Sequence, residues 1–443
     1  MRALRPSDLF CAVPSPGFIM RPPVQRHGER IPPEARAVMQ PTWQRGWFGP
    51  RDIRICVLEN VIVAQEGLVF TADGSLLAES VRQHTGNEVA QARAMVAAHG
   101  HHAPVVRGDV VLCRKRGAVN YGHWIVEMLP MAWLAAQHWP HPLRVMVQEL
   151  PDPMRAVQLH SLARLGLSPS AVVPAGVAPV RVERLIFVDG LTEHGGYLSP
   201  LALECLDRLA GPIAPDGPDM LWISCGAVPT RRLQDEDAIL ASARRAGFTV
   251  LDPSTLPFAA QIAVFKAARR IVGVMGAALA NMAFCRPGAD LFALAPAAMS
   301  DTFFWFLAGL TGLAAEEIRC EQTGPVRGLA AWDRDVQLDL DVLARLFDPA
   351  PLPAAPGRAE MDTRLAALFD AAYYLAANPD VAAAGVDPLD HYMGTGWREG
   401  RNPSAAFDTR RYLTAHPDIG HFNPLAHFIM SGEAEGRAVF AVV

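Results

Sequence analysis

The chain has 443 residues, of which 51% are hydrophobic and 19% charged, so it is long enough for two or three domains and apolar enough for a sizeable core. A single small module and a disordered chain are both excluded. The 40 basic and 45 acidic side chains give a formal net charge of −5, without the basic surplus that a phosphate backbone requires, and we expect no nucleic-acid partner.

The spacing of the cysteines and the length of the apolar stretches indicate the cellular compartment. The seven cysteines include no C-x-x-C pair and no zinc-like spacing, which predicts reduced, mostly buried thiols. The N-terminal segment has no apolar run long enough for a secretory signal. The longest uncharged stretches, 271–285 and 303–315, are shorter than the roughly 20 residues of a membrane-spanning helix. We therefore expect a cytoplasmic protein, with peripheral association at the inner face of the membrane left open.

The first 50 residues differ in composition from the rest of the chain. Residues 1–50 are rich in proline and arginine without a sustained period, which predicts an irregular arm laid over a core. From Arg54 onward, short β-rich runs such as VVLCRK and RLIFVDG alternate with helical segments, a pattern typical of a mainly parallel sheet covered by helices. The sequence predicts that this first α/β domain occupies residues 51–212.

A second α/β domain is predicted after the segment GPIAPDGPD, over residues 213–346. Its predicted strands are LWIS, FTVLD, RIVGVM and DLFALAP. Its predicted helices are Asp235–Ala246, Ala259–Ala268 and Ala277–Phe284. A proline-rich, semi-rigid linker follows at 347–364.

The last segment, 365–443, contains an internal duplication. The pattern FDxxxYLxxxPD occurs at 369–380 and again 38 residues later, and PLxHYxxxGxxEGR at 388–401 recurs 36 residues later with Phe in place of Tyr. Two copies of a small helical repeat are predicted. We expect their aromatic residues to fill a small core, with stacking on sugar rings as the alternative, and these residues are Tyr392, Trp397 and Phe428.

The stretch RRIVGVMGAALAN is an apolar strand that runs through small residues into a helix. Gly273, Gly276 and Ala277 would let the backbone approach a ligand, and the first amides of the helix could hold a pyrophosphate. Tight packing between strand and helix is the structural alternative. An oxidoreductase that binds a nicotinamide at the same turn is a further alternative, but the sequence lacks the full G-x-G-x-x-G pattern and the acidic residue about 20 positions on.

The segment NYGHWIVEMLP contains a candidate acid–base pair. Asn120 suits a helix N-cap, and His123 and Glu127 are four residues apart, on one helical face. A carboxylate can orient a histidine and raise its basicity, so that the ring acts as general base on a sugar hydroxyl. A purely structural His–Glu pair is the alternative.

Two neighbouring arginines, Arg231 and Arg232, precede a predicted helix, where paired guanidinium groups can clamp a diphosphate. Solvated surface arginines are the alternative. No metal site is expected, because no Asp or Cys accompanies the histidines His99, His101 and His102.

In combination these segments resemble glycosyltransferase family 61. NYGHWIVEMLP is similar to the family's NYxHWxxExLP, RRLQDE to RRxxNE, and the block from FAAQIAVF to FCRPGA to its IVGxHGAGLxN block, in the same order over about residues 110–300. The resemblance implies a GT-B-like α/β architecture, with two Rossmann-like domains facing a cleft plus the small helical repeat region. It also implies inverting, metal-independent transfer from a nucleotide sugar, often UDP-linked, to a glycan or glycolipid precursor in bacterial surface polysaccharide synthesis.

The resemblance also implies roles for individual residues. His123 and Glu127 would face the cleft from the first domain, and which of them acts as the base stays open. The remaining residues would belong to the nucleotide-sugar site, where Gln261 supports the loop and the others lie at or near the diphosphate: Arg231, Arg232, Gln261, Gly273, Gly276, Ala277 and Asn281.

Four positions depart from the family pattern. Met275 replaces the His of HGAGL, Asp235 replaces the Asn of RRxxNE, Ala293 replaces an acidic residue, and Cys225 stands where an Arg is common. Lost hydrogen bonds to the donor would weaken its binding. The alternative function is therefore a non-catalytic, glycosyltransferase-like protein that binds a glycan or a partner. The C-terminal repeats resemble modules appended to bacterial glycosyltransferases.

Overall fold

The computed structural model describes residues 1–224, 230–353, 356–420 and 422–442. The described chain forms a mixed α/β structure with two seven-stranded sheets. Cys225 and residues 354–355 of the proline-rich linker lie outside the described residues. The six described cysteines are free thiols, five of them buried and Cys11 half-buried, which agrees with the expectation from their spacing.

The first sheet takes its strands from the N-terminal half. The elements of this half, in chain order, are β1 (Leu9–Ser15), β2 (Phe18–Ile19), β3 (Gln25–Arg26), α1 (Pro33–Trp43), β4 (Trp47–Phe48), β5 (Arg51–Ala64), β6 (Leu68–Phe70), α2 (Gly86–His99), β7 (Val105–Cys113), α3 (Tyr121–His123), α4 (Leu129–His138), β8 (Leu143–Gln148), α5 (Met154–Arg164), β9 (Val172–Ala175), β10 (Val180–Asp189), β11 (Thr192–Glu193), β12 (Tyr197–Leu198) and α6 (Pro200–Ala210).

The strand order of this sheet is β1-β5-β10-β7-β8-β9, with β6 beside β5. Strands β10, β7, β8 and β9 are mutually parallel. The pairings of β5 with β1, β6 and β10 are antiparallel, so the prediction of a mainly parallel sheet is wrong for this edge. The connection from β5 to β6 is too short for the crossover that a parallel pair needs.

The second sheet is mostly parallel, with the order β14-β13-β15-β16-β17-β18. Only β18 is antiparallel, at one edge of this path. The elements are β13 (Met220–Ile223), α7 (Glu236–Arg245), β14 (Thr249–Leu251), α8 (Phe258–Ala267), β15 (Arg270–Val274), a 3₁₀ helix (Ala277–Phe284), β16 (Asp290–Pro296), α9 (Phe303–Thr311), β17 (Ala314–Thr323), β18 (Asp335–Gln337) and α10 (Leu340–Phe347). The predicted alternation is confirmed, except that the segment after β15 is a 3₁₀ helix.

The N-terminal arm is ordered and bridges the two sheets. Strand β1 pairs with β5 in the first sheet, whereas β3 pairs with β17 in the second. Helix α1 buries Ala35, Met39 and Trp43, which lie four residues apart on one face. The prediction of an irregular arm is therefore wrong for β1 and α1. The many prolines suggested irregular structure, but Pro14 is tolerated in an edge strand and Pro33 in the first turn of a helix.

One apolar core joins the two sheets. A single cluster of buried side chains includes Val111 and Ile186 from the first sheet and Leu221 and Ile271 from the second. Burying side chains of this size contributes about 1.5–3 kcal/mol each relative to exposure. The two sheets are therefore packed through a shared hydrophobic interior. No helix among the described residues has the length and apolar character needed to cross a bilayer.

Two copies of one helical unit end the chain, and they make equivalent contacts. The helices are α11 (Arg358–Leu368), α12 (Ala371–Ala377), α13 (Pro379–Ala384), α14 (Pro388–His391), α15 (Thr409–Ala415) and α16 (Pro424–His427). Tyr374 hydrogen-bonds His391 at 2.9 Å, and Tyr412 hydrogen-bonds His427 at 3.0 Å.

The aromatic residues of this unit form its core. Tyr392 and Trp397 are buried, and Phe428 packs against the same cluster. The expectation that these side chains fill a small core is confirmed.

Candidate functional site

The candidate site lies at the carboxyl ends of parallel strands. Lys115 follows β7, and His194 lies in the β11–β12 hairpin that follows β10, the parallel neighbour of β7. In the second sheet, Gly276 follows β15 and Asp301 follows β16, again parallel neighbours. Because parallel strands end at the same edge of a sheet, loops with distant sequence positions meet there.

The segment NYGHW begins a helix at this edge, as predicted. The Asn120 side chain caps it by accepting hydrogen bonds from the amides of Gly122 (2.8 Å) and His123 (3.3 Å). The short helix α3 then passes through a π-helical turn, Trp124–Met128, into α4. Such turns insert an extra residue and are frequent at functional sites. Here the π turn contains Glu127.

Glu127 is a buried carboxylate held by two cations. Its Oε2 lies 2.6 Å from Lys115 Nζ, and its Oε1 lies 3.1 Å from His194 Nδ1. Burial opposes its ionisation, but Lys115 and His194 outweigh burial and hold the pKa of Glu127 well below its usual range. Burial lowers the pKa of Lys115, and Glu127 offsets part of that shift. Glu127 is therefore an ionised group enclosed by protein.

His194 joins the two halves of the site. Its Nδ1 faces Glu127, and its Nε2 lies 3.3 Å from Oδ2 of Asp301, which comes from the second sheet. Burial lowers the pKa of His194, but the hydrogen bonds to Asp301 and Glu127 prevail and raise it to about 10. His194 is therefore a protonated imidazolium, with Nδ1 hydrogen-bonded to Glu127 and Nε2 in an ion pair with Asp301.

His123 differs from His194 in its surroundings. Its Nδ1 lies 3.7 Å from Glu127 Oε2, too far for a hydrogen bond, and is buried without a partner among the described residues. A Cβ on Gly117 would approach this nitrogen to 2.7 Å. Burial lowers the pKa of His123 to about 4, and Glu127 offsets only part of that effect. His123 is 18% exposed and neutral near pH 7, so one of its ring nitrogens carries no proton.

A polar cavity of about 480 Å³ opens beside these groups. Lys115 and His194 form part of its wall, together with Arg82, Asp189 and Glu193. Arg82 is 3.4 Å from Asp189 across an ion pair. Charged groups of both signs therefore line a space large enough for a small ligand.

The site also contains a set of atoms with metal-like spacing. One ligand atom from each of His123, Glu127 and His194 lies within 4.8 Å of the others. His194, however, directs both ring nitrogens at carboxylates, and a protonated imidazole has no lone pair for a metal. Lys115 already balances Glu127. The donor set therefore fits an ion network better than a metal. A second group with such spacing, His27, Asp339 and Asp341, lies outside this site.

The predicted phosphate turn follows β15. Gly276 has room around its Cα, because an added Cβ would have Arg231 Nη1 as its nearest side-chain neighbour, at 4.0 Å. The amides of Ala277 and Ala278 have no hydrogen-bond partner among the described residues. Arg231 Nη1 donates to the carbonyl of Met275 at 2.7 Å. The guanidinium group of Arg231, from the segment before α7, thus lies against the turn that carries these open backbone amides.

The other predicted donor residues have different surroundings. Arg232 is exposed, and its backbone is tied to Val336 and Asp335 at β18. Gly273 is buried within β15, where an added Cβ would lie 3.1 Å from both Ile223 and Leu279. Gly273 therefore serves close packing, and its assignment to the donor site stays a prediction.

Asn281 and Gln261 form a buried chain of side chains. Asn281 accepts a hydrogen bond from the Tyr121 hydroxyl at 2.5 Å and donates to Gln261 Oε1 at 3.2 Å. Gln261 in turn donates to the carbonyl of Leu256 at 3.1 Å. The predicted support by Gln261 agrees with this geometry, whereas the polar atoms of Asn281 are engaged within the protein and its assignment to the diphosphate stays a prediction.

Two of the departures from the family pattern meet in space. Met275 and Ala293 are buried and line one cavity of about 40 Å³, which residues 20–24 of the arm close. The missing imidazole and carboxylate are thus replaced by apolar side chains facing the arm. Asp235, the third departure, precedes α7 with a φ of 56°, a left-handed conformation that Asn and Asp both tolerate. The fourth, Cys225, lies outside the described residues.

Sequence reasoning named His123 and Glu127 but did not name Lys115, His194 or Asp301, which the structure brings into the same cluster. The signal available was strand order, since VVLCRK ends at Lys115 and RLIFVDG precedes His194. Placing these two runs on adjacent parallel strands would have brought both side chains to Glu127.

The comparisons with known proteins address this region. The model of the family described as Glycosyltransferase 61 matches residues 121–292, which include His123, Glu127 and the turn after β15. The resemblance seen in the motifs is therefore confirmed. No curated protein matches the chain.

Proposed function

We propose that this chain, a glycosyltransferase by its family 61 segment, transfers a sugar from a nucleotide sugar to a hydroxyl group of a glycan or glycolipid with inversion at the anomeric carbon. His123 is the general base. The observation that carries this proposal is the contrast between two histidines whose rings are 4.8 Å apart: both ring nitrogens of His194 face carboxylates, whereas Nδ1 of His123 has no hydrogen-bond partner among the described residues.

The reaction is a single displacement in which atoms and charges balance. The acceptor hydroxyl oxygen forms a bond to the anomeric carbon while the bond from that carbon to the diphosphate oxygen breaks. The nucleoside diphosphate leaves with the electron pair, and the hydroxyl proton moves to the ring of His123. A base with a pKa near 4 accepts this proton only after the new bond has begun to form, because bond formation acidifies the hydroxyl.

Glu127 acts on His123 through space and not on the substrate. It is 2% exposed and paired with Lys115 and His194, so it is closed to an acceptor. Its negative charge stabilises the imidazolium that His123 becomes after proton transfer. Lys115 and His194 keep Glu127 ionised. Because Glu127 acts on His123 and does not touch the substrate, it is a positioning residue.

The donor diphosphate binds at the turn after β15. Its negative oxygens accept hydrogen bonds from the amides of Ala277 and Ala278 and form an ion pair with Arg231. Arg232 is a second cation at the rim of this site. These groups balance the charge of the leaving diphosphate without a metal. The reacting hydroxyl of the acceptor lies at His123, and the cavity beside Lys115 and His194 holds the rest of the acceptor.

The wider assignment follows the family resemblance. We place the reaction in a GT-B-like arrangement of two Rossmann-like units, with a UDP-linked donor, in surface polysaccharide synthesis at the cytoplasmic face of the membrane. The packing of two sheets through their carboxyl-edge loops supports this arrangement.

One observation favours a second candidate, a binding protein without turnover. Met275 and Ala293 replace two polar residues of the family pattern. Both side chains line the cavity closed by the arm, whereas the proposed diphosphate contacts are Arg231 and the amides of Ala277 and Ala278. We therefore favour an altered but functional donor site.

Thermal unfolding with UDP-, GDP-, CMP- and dTDP-sugars and NAD tests the proposal. A donor at 100 times its dissociation constant stabilises the fold by about 2.7 kcal/mol. We expect stabilisation by one nucleotide class and not by NAD. Arg231→Ala removes the stabilisation, whereas Arg334→Ala, which removes another, exposed positive charge, retains it. Stabilisation by NAD alone, or by no nucleotide sugar, contradicts the proposal.

A further inference from the structure

Another cavity lies between the N-terminal arm and the C-terminal repeats, and it shares no lining residue with the cavity beside Lys115 and His194. Its volume is about 450 Å³, within the range of small-molecule sites. Three parts of the chain build it: the arm with α1, the end of the first repeat at Arg398, and the second repeat at Ile419 and Phe422.

Helix α1 presents a polar stripe to this cavity. Arg36 and Gln40 lie within α1, and Gln44 is its C-cap residue. The three are spaced four residues apart and therefore share one face. Gln40 and Gln44 are exposed. A glutamine amide carries one acceptor and two donors, which suits neighbouring hydroxyl groups of a sugar ring.

Positive charge dominates the cavity. Arg36 and Arg398 line it, and the described lining includes no carboxylate. The guanidinium group of Arg398 is exposed and stands 4.4 Å from the Trp397 ring centroid. The half-buried Phe422 adds aromatic surface to the wall. Aromatic faces, amides and guanidinium groups together fit a ring that carries hydroxyls and an anionic group.

The walls of the cavity are held by direct contacts. Trp47 Nε1 donates to Asp390 Oδ1 at 2.7 Å. Gly46 has a φ of 65°, and a Cβ there would lie 2.7 Å from the Phe422 ring. Ile19 and Trp47 share one apolar cluster with the repeats. These contacts hold the arm against the repeats, so the walls of the cavity are fixed before a ligand binds.

We propose that this cavity between α1 and the two repeats binds an acidic saccharide unit, with Arg36 and Arg398 on its carboxylate and Gln40 and Gln44 on its hydroxyls. This site is separate from the transferase site, and its test does not depend on turnover. It gives the repeats a role in holding a glycan.

Calorimetric titration of the full chain tests the proposal with three probes. These are trigalacturonate, the neutral α-1,4-linked trimer maltotriose, and triglutamate, which carries a similar charge without sugar rings. We expect trigalacturonate to bind at least tenfold more tightly than either of the others. Equal affinity for maltotriose, equal affinity for triglutamate, or no binding of trigalacturonate at millimolar concentration overturns the proposal.

Variants locate the binding. Arg398→Gln changes an exposed side chain and leaves the fold intact, and Arg36→Gln keeps a donor near the Gly28 carbonyl that Arg36 contacts. The double variant loses at least tenfold in affinity for trigalacturonate. Arg93→Gln removes one positive charge on α2 and retains full affinity. Unchanged binding by the double variant, with an unchanged unfolding temperature, overturns the assignment to this cavity.

Discussion

The hydroxyl of Tyr121 donates a hydrogen bond to Oδ1 of Asn281 at 2.5 Å, joining the helix that carries His123 to the turn that follows β15. Asn281 is fully buried and has a second bond to Gln261. This contact fixes the spacing between the proposed base and the proposed donor turn.

Tyr121→Phe tests the importance of this contact. The substitution leaves a buried carbonyl oxygen on Asn281 without its donor, and we expect the free energy of unfolding to fall by about 1–3 kcal/mol in urea titrations. Tyr373→Phe removes a hydroxyl from a half-exposed residue in the repeats and serves as the control. Equal stability of the two variants would show that the hydrogen bond contributes little.

The two glycines of the turn have separable roles. Gly276 has an extended φ of −176° and no close neighbour, so Gly276→Ala leaves the unfolding temperature unchanged but weakens nucleotide-sugar binding by at least tenfold. Gly273→Ala places a Cβ 3.1 Å from two side chains and destabilises the fold by about 1–3 kcal/mol. Thermal unfolding with and without donor distinguishes them. Full donor affinity in Gly276→Ala would remove the diphosphate from this turn.

His194 predicts a specific dependence of stability on pH. Its folded pKa of about 10 lies above the ordinary 6.5. The stabilisation from its proton is therefore complete below pH 6.5 and is lost as the pH rises toward 10, at up to about 1.4 kcal/mol per pH unit. We expect the difference in unfolding free energy between wild type and His194→Gln to shrink from pH 6.5 to 9. The exposed His138→Gln provides the control. A constant difference contradicts a protonated His194.

Much of the fold could be predicted from local patterns in the sequence. The 3₁₀ helix has the predicted bounds Ala277–Phe284, and Asn120 caps its helix as its residue type and position indicate. Such features depend on neighbouring residues. The arm was misread, because prolines concealed the Ala35, Met39 and Trp43 stripe of α1.

The site was only partly predictable. His123 and Glu127 share one motif, whereas Lys115, His194 and Asp301 reach Glu127 and each other only through the strand order of two sheets. The state of each histidine depends on those contacts. The contacts of His194 with Asp301 and Glu127 exist only in the folded protein. The sequence alone therefore does not distinguish a protonated His194 from a neutral His123.

The release of nucleoside diphosphate from the donor that stabilises the protein, compared between wild type and His123→Asn, tests the central claim most directly. Water serves as the acceptor when no glycan is added. We expect His123→Asn to bind the donor with unchanged affinity and to release nucleotide about 10²–10⁴-fold more slowly. The wild-type rate falls with decreasing pH near 4, where His123 takes up its proton. Equal release rates in the two proteins would contradict His123 as the base, and absence of release by wild type with every donor would favour the binding protein.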